Sequence, residues 1–236
     1  MSDHSHWVQQ HRFKMLLISL SLLLLAHPIA ERWPHARVLF HLLFDLVLLV
    51  SLLSIRRYKL GFALGVFFGI PAFLSFWSRI SFPRIDALTS REFDIFGNYA
   101  MGIFLAIIAV YVLRSVFEGR EVTTDRLCGA LSVFLLFGIT WGFFYTAIEL
   151  KDPGSFRFGE GLLTPGLEST DADYERSSVL FYYSFVSLTT LGFGDVTPTT
   201  SVTRTLTMWE AILGQAYLAV LVARLVGLHV SRSADV

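Results

Sequence analysis

What this sequence lacks narrows it first. Cys128 is the only cysteine in 236 residues, so the chain has no disulfide framework and no thiolate metal site, and small packing is the role left to that residue. Charge is scarce, at 16% of residues against 54% hydrophobic, too little to give a soluble domain a polar surface. Neither sign dominates: 19 basic residues stand against 19 acidic ones, which removes the electrostatic footprint of a nucleic-acid partner. No nucleophile is paired with a base and no metal-ligand cluster lies in the apolar segments, so neither an enzyme nor a cofactor is expected.

Long apolar runs are what the chain has in abundance. A helix needs about 20 mostly apolar residues to cross the roughly 30 Å hydrocarbon layer. Six runs approach that length: 15–30, 38–55, 60–77, 99–117, 127–150 and 201–230. Backbone groups in lipid must be satisfied internally, so these runs predict helices, and the expected fold is an all-α membrane protein with six transmembrane helices. Arg12 and Lys14 precede a leucine-rich stretch, as in a signal peptide, but Pro28 and Ile29 suit a cleavage site poorly, and the first run is read as a retained span. In the third run Gly61, Gly65 and Gly69 recur at spacing four, a face that admits a close neighbour.

Between the fifth and sixth runs the composition changes. Residues 151–178 are rich in glycine, proline and acids and predict an exposed loop. The stretch VLFYYSFVSLTT that follows is apolar but only about half the length that spanning needs, which predicts a re-entrant helix buried in protein. Next comes TTLGFGDVTP, Thr189 to Pro198. Glycines at alternate positions, Gly192 and Gly194, permit positive φ, so that successive carbonyls can face one side and replace the hydration shell of a cation. Thr190 adds a hydroxyl at the inner end, and Leu191 and Phe193 are expected to point away from the axis and brace the strand against the short helix.

Thr190, Leu191, Gly192, Phe193, Gly194 and Asp195 resemble the potassium channel signature T-x-G-[YF]-G-D, and the last two runs with the loop between them look like the pore module of the bacterial ion-channel family. The resemblance implies K⁺ bound at Thr190, Leu191, Gly192 and Phe193, passive conduction through a homotetramer in the plasma membrane, and both termini in the cytoplasm. It implies pore-helix support from Tyr182, Tyr183, Val186 and Thr189, with Glu149 tying the outer helix to the loop behind the filter. Pro198 follows the filter, Gly214 is the inner-helix hinge, and Gln215, Leu218 and Val222 face the cavity. Phe193 stands where tyrosine is commoner, and so lacks a hydroxyl that would bond into an aromatic cuff of Tyr182 and Tyr183; Val186 stands where some relatives carry glutamate. The organisation implied is a cytoplasmic N-terminus (1–14), a four-helix peripheral bundle (15–117), a linker (118–126), the pore module (127–230) and a cytoplasmic C-terminus (231–236). A weakly selective cation channel or a non-conducting accessory subunit are the alternatives.

Charge placement adds detail. The fourth run holds only Arg114, without the arginine ladder of a voltage sensor, and with few residues after the sixth run no ligand-binding gate domain is expected there. Asp152, Glu160, Glu168, Asp171, Asp173 and Glu175 crowd the loop before the short helix and would concentrate cations there. Glu210, a carboxylate inside the sixth run, needs a partner, and a hydroxyl of the short helix is the expected one. His41 and Asp45, at spacing four, suit a structural pair better than a proton sensor. Metal binding by His4, His6 and His11 is the lesser reading of those three.

Overall fold

The structure is a computed structural model and describes residues 11–32, 36–81, 87–118, 123–164 and 169–234. Its elements in chain order are α1 (Arg12–Arg32), α2 (Ala36–Ser54), α3 (Lys59–Ser81), α4 (Ala87–Phe117), α5 (Thr124–Lys151), β1 (Phe156–Phe158), α6 (Ser169–Leu188), β2 (Val196–Pro198) and α7 (Ser201–Ala234). The chain is an all-α membrane protein with one short ribbon. Among the described residues four stretches are long and apolar enough to cross a bilayer: Arg12–Ile29, Arg91–Phe117, Thr124–Lys151 and Ser201–Gly227. The second and third runs form helices whose described apolar stretches, Leu42–Ser54 and Lys59–Leu74, fall short of that length.

Two boundaries differ from expectation. The helix of the fourth run begins at Ala87, because helix formation continues through Arg91, Glu92 and Asp94 where the apolar run does not. The short helix likewise begins at Ser169, well inside the expected loop. Its opening STDADYE places acids in the first turns, where they complement the unpaired N–H groups of a helix start.

The chain folds as two compact units, one drawn from residues up to Phe67, Ala106–Leu136 and the chain from Ala219, the other from Phe68–Leu105 and Phe137–Leu218. In the first unit, charged groups secure helix ends. Arg12 of α1 donates to the Ser54 carbonyl at the end of α2 (3.4 Å) and to Ser115 Oγ (2.6 Å). The backbone N–H of Lys14, left unpaired by the helix start, donates to Asp125 at 3.0 Å. Arg224 of α7 donates to the carbonyls of Val116 and Phe117, both at 2.8 Å, and its guanidinium lies 4.4 Å from the Phe117 ring centroid. These carbonyls are the ones a helix C-terminus leaves unpaired, and they carry the negative end of its dipole. Glu118, just past α4, accepts from Arg57 (2.7 Å), Tyr58 (2.8 Å) and Arg114 (2.8 Å). The bond from Tyr58, with the one from Arg114, holds the Glu118 carboxyl below the ordinary carboxylate range. Close packing in this unit rests on glycine: the Tyr111 ring lies over Gly61, as close as a Cβ there would permit nothing else to lie.

The second unit packs α5 against α6 through a repeated device. Gly138 and Gly142 of α5 lie under the rings of Phe185 and Phe181 of α6, and a Cβ at either glycine would run into the ring. Both pairs recur at spacing four, so two ring knobs fill two glycine holes. Beside them Tyr145, Phe156 and Tyr183 form an aromatic triangle with centroids 5.2 to 5.5 Å apart, closed over by Leu180 and Val196. β1 pairs antiparallel with β2 in the register Phe156 to Pro198, Arg157 to Thr197 and Phe158 to Val196, which turns Phe156 and Val196 into the core. Arg91 of α4 donates twice to the Leu150 carbonyl at the end of α5, at 2.9 and 2.6 Å. The start of α7 is capped reciprocally: the Thr203 N–H donates to Thr200 Oγ1 (3.2 Å) and the Thr200 N–H to Thr203 Oγ1 (3.3 Å).

Candidate functional site

The segment from Thr189 to Asp195 follows directly on α6. Its backbone is unusual: Thr190, Gly192 and Gly194 have φ of 60°, 58° and 78°, and no other non-glycine residue among those described has positive φ. Glycine accepts that conformation freely, whereas a β-branched residue such as Thr190 does so only where its surroundings impose it. Here the imposing contacts are hydrogen bonds from the strand's amides back to α6. The Thr190 N–H donates to the Ser187 carbonyl (2.9 Å), and the N–H groups of Leu191 (2.9 Å) and Gly192 (3.4 Å) both donate to the Val186 carbonyl. The N–H groups of Thr190, Leu191 and Gly192 are thus turned to α6, and the residues from Thr189 to Gly194 lie exposed on this chain.

Both ends of the segment are tied. At its start Thr189 Oγ1 donates to the Phe185 carbonyl at 2.6 Å, and Gln215 Nε2 of α7 donates to Thr190 Oγ1 at 3.3 Å. At its end Asp195 accepts from the Tyr182 hydroxyl (2.7 Å) and from the Val196 N–H (3.0 Å), while its carbonyl accepts from the Gly159 N–H (2.7 Å). The bond to Asp195 raises the Tyr182 phenol above its ordinary pKa. Gly159 fits there for want of a side chain, since a Cβ would stand 2.9 Å from the Asp195 oxygen.

The remaining candidate residues separate into those brought to this segment and those that are not. Val186 is buried and acts through its carbonyl. Glu149 accepts from the N–H groups of Gly154 (2.9 Å) and Phe156 (3.0 Å), holding the turn between α5 and β1. Leu191 and Phe193 are 61% and 66% exposed, so neither braces the strand against α6 of its own chain. Tyr183 does not join Tyr182 in a cuff: it is built into the aromatic triangle and its hydroxyl is bonded to Thr207 at 2.8 Å. Gly214 lies where the Leu188 carbonyl approaches α7, so close that a Cβ would run into it, a close approach that by itself requires glycine. Leu218 and Val222 are exposed on α7.

Glu210, fully buried, takes the Ser184 hydroxyl of α6 at 2.5 Å, the kind of partner the sequence predicts, and the Tyr145 hydroxyl of α5 at 2.6 Å. Tyr145 is a contributor the sequence does not single out, since it gives no signal beyond being aromatic. Glycines at spacing four in α5 and phenylalanines at spacing four in α6 were a signal, legible only as a pair. Of the acids expected in the loop, two lie within α6: Glu175 is bonded to the N–H and hydroxyl of Thr164 (2.9 and 2.8 Å), and Asp173 lies 3.9 Å from Arg176. Glu168, His4, His6 and the side chains of Asp171 and His41 lie outside the described residues.

Residues 133–229 match the model of a family described as ion channel, a span that takes in most of α5, the ribbon, α6, the segment from Thr189 to Asp195 and most of α7. No curated protein and no solved structure matches the chain. The matched residues are fewer than half of the chain, and for that part the match supports an ion channel.

Proposed function

We propose that this chain is the subunit of a potassium-selective channel, conducting K⁺ passively through a homotetrameric pore. The observation that carries the reading is the alternation of positive φ at Thr190, Gly192 and Gly194 with the amides bonded back to α6. A strand that turns its N–H groups one way has its carbonyls for the other, and four such strands around an axis offer rings of oxygen to a dehydrated cation. The filter is Thr190 to Asp195, with K⁺ held by Thr190, Leu191, Gly192 and Phe193; α6 is a re-entrant pore helix, and Gln215, Leu218 and Val222 line the cavity below. The exposed faces of Leu191 and Phe193 belong in this reading to contacts with neighbouring subunits. Six transmembrane helices, a pore module over 127–230, residence in the plasma membrane and cytoplasmic termini complete the proposal.

The discriminating experiment is flux of K⁺ against Na⁺ in liposomes that contain only the purified protein. The expected result is strong preference for K⁺ in the parent, and loss of selectivity or of conduction in Gly192→Ala, because a Cβ penalises the left-handed backbone. A conducting Gly192→Ala channel with undiminished selectivity would remove the filter assignment. Comparable K⁺ and Na⁺ flux in the parent would favour a weakly selective cation channel. Phe193, lacking a hydroxyl to stiffen the strand, is the feature that would account for it.

A further inference from the structure

The carboxyl of Glu210 sits among hydroxyls whose protons can be counted. Ser184 Oγ lies 2.5 Å from Glu210 Oε1 and 2.7 Å from the Gly138 carbonyl oxygen of α5. A serine hydroxyl has one proton, and a carbonyl oxygen has none to give. If Ser184 donates to Glu210, its oxygen stands against the Gly138 carbonyl with no hydrogen between them. Both short contacts are satisfied together only when Ser184 donates to Gly138 and the proton between Ser184 and Glu210 comes from the carboxyl. The second carboxyl oxygen, Oε2, then accepts from Tyr145 at 2.6 Å.

The surroundings agree. Glu210 and Ser184 are both fully buried. The ionisable groups that face Glu210 are phenols, Tyr145 from α5 and Tyr183 from α6, and the described residues bring no cationic side chain to it. Tyr183 is itself turned away, since Thr207 gives its proton to the Thr203 carbonyl at 2.9 Å and so must accept from Tyr183. An ionised carboxylate held in such a site would be costly without a counter-charge.

We propose that Glu210 is kept as the neutral carboxylic acid and donates to Ser184, forming a relay from α7 through α6 to the Gly138 carbonyl that positions the helix behind the conducting segment. The role assigned to that helix rests on the channel reading; the protonation state does not. A neutral acid lets one hydroxyl bind two helices at once. Loss of the proton would leave Ser184 to bind α7 or α5 but not both. Glu210 is thus a positioning residue, acting on the filter through Ser184 and α6.

Infrared absorption of the purified full chain in lipid tests this directly. The expected result is a protonated-carboxyl C=O band at neutral pH that disappears in Glu210→Gln, persists but shifts in Ser184→Ala, and is lost in the parent only under alkaline conditions. Because the side chain of glutamine can donate to Ser184 and accept from Tyr145, Glu210→Gln should assemble and conduct as the parent does, whereas Glu210→Ala should lose tetramer stability. A neutral-pH spectrum with no protonated-carboxyl band sensitive to position 210 would overturn the proposal, as would a Glu210→Gln protein as impaired as Glu210→Ala. The band reports on Glu210 whether or not the pore prefers K⁺, so its absence and a failure of the flux experiment are separate outcomes.

Discussion

Both units bring helices together over bare glycines, Tyr111 on Gly61 in one and Phe185 and Phe181 on Gly138 and Gly142 in the other, and they differ in their polar contacts. The unit that contains the segment from Thr189 to Asp195 buries a set of hydroxyls around one carboxyl, Glu210. In the other, Arg12 and Arg224 reach to carbonyls at the ends of neighbouring helices, and Glu118 gathers three donors at the surface. Buried close contacts are unforgiving, because neither a misplaced methyl group nor a missing proton can be relieved by solvent. Exposed ion pairs are worth little singly and are screened by salt. The difference teaches where this chain tolerates change: geometry around the segment from Thr189 to Asp195 is enforced, while the charged belt is adjustable.

The sharpest test of that contrast is a pair of identical substitutions in one helix. Gly214→Ala puts a Cβ against the Leu188 backbone carbonyl, which cannot rotate away, and should cost about 3 kcal/mol or more, read as a large fall in the melting temperature of the purified protein. Gly227→Ala meets nothing within 4 Å and should gain about 0.5–1 kcal/mol from helix propensity. Equal effects in the two variants would break the comparison. A smaller effect is expected from Arg224→Ala, about 1–2 kcal/mol for two charge-assisted bonds at a partly exposed site, with Arg224→Lys recovering only part because an ammonium cannot span two carbonyls as a guanidinium fork does. Full recovery by lysine would reduce the interaction to charge alone.

The smallest effect is expected at Glu118, and it has a sign. Its folded-state pKa is depressed, so its ionisation stabilises the fold above the unfolded carboxylate pKa, and that contribution is lost as pH falls through the folded value. Glu118→Gln should therefore melt slightly below the parent at neutral pH, with the gap closing on acidification below the ordinary carboxylate range. A gap that widens in acid would contradict the assignment.

Much of this was legible in the sequence, for physical reasons that also explain what was not. Lipid admits few backbone solutions, so apolar run length was enough to place helices at all six runs. It could not place their ends, because Ala87–Asn98 and Ser169–Ser178 are polar and still helical; the acids after Ser169 were a start signal overlooked in a stretch read as loop. The glycines at 192 and 194 pointed to positive φ, since little else calls for that spacing before an aspartate. Thr190 did not, because its φ is imposed by bonds to α6 rather than by its own preference. Glu210 advertised that it needed a partner but not that Tyr145 would be one, since pairing across 65 residues of sequence is a property of the packed helices.

The ribbon of β1 and β2 also sets where mechanical load can travel. It joins the chain leaving α5 to the chain entering α7, reinforced by Thr199, whose N–H bonds to the Ser155 carbonyl and whose hydroxyl bonds to the Gly154 carbonyl. Tension between those two helices is therefore carried by the ribbon's rungs, in shear, and the segment between Gly159 and Asp195 hangs beside the load path instead of within it. A displacement of α7 therefore does not draw the strand from Thr189 to Asp195 taut by pulling on its end. It reaches that strand laterally, where the Leu188 carbonyl rests on Gly214 and where Gln215 touches Thr190.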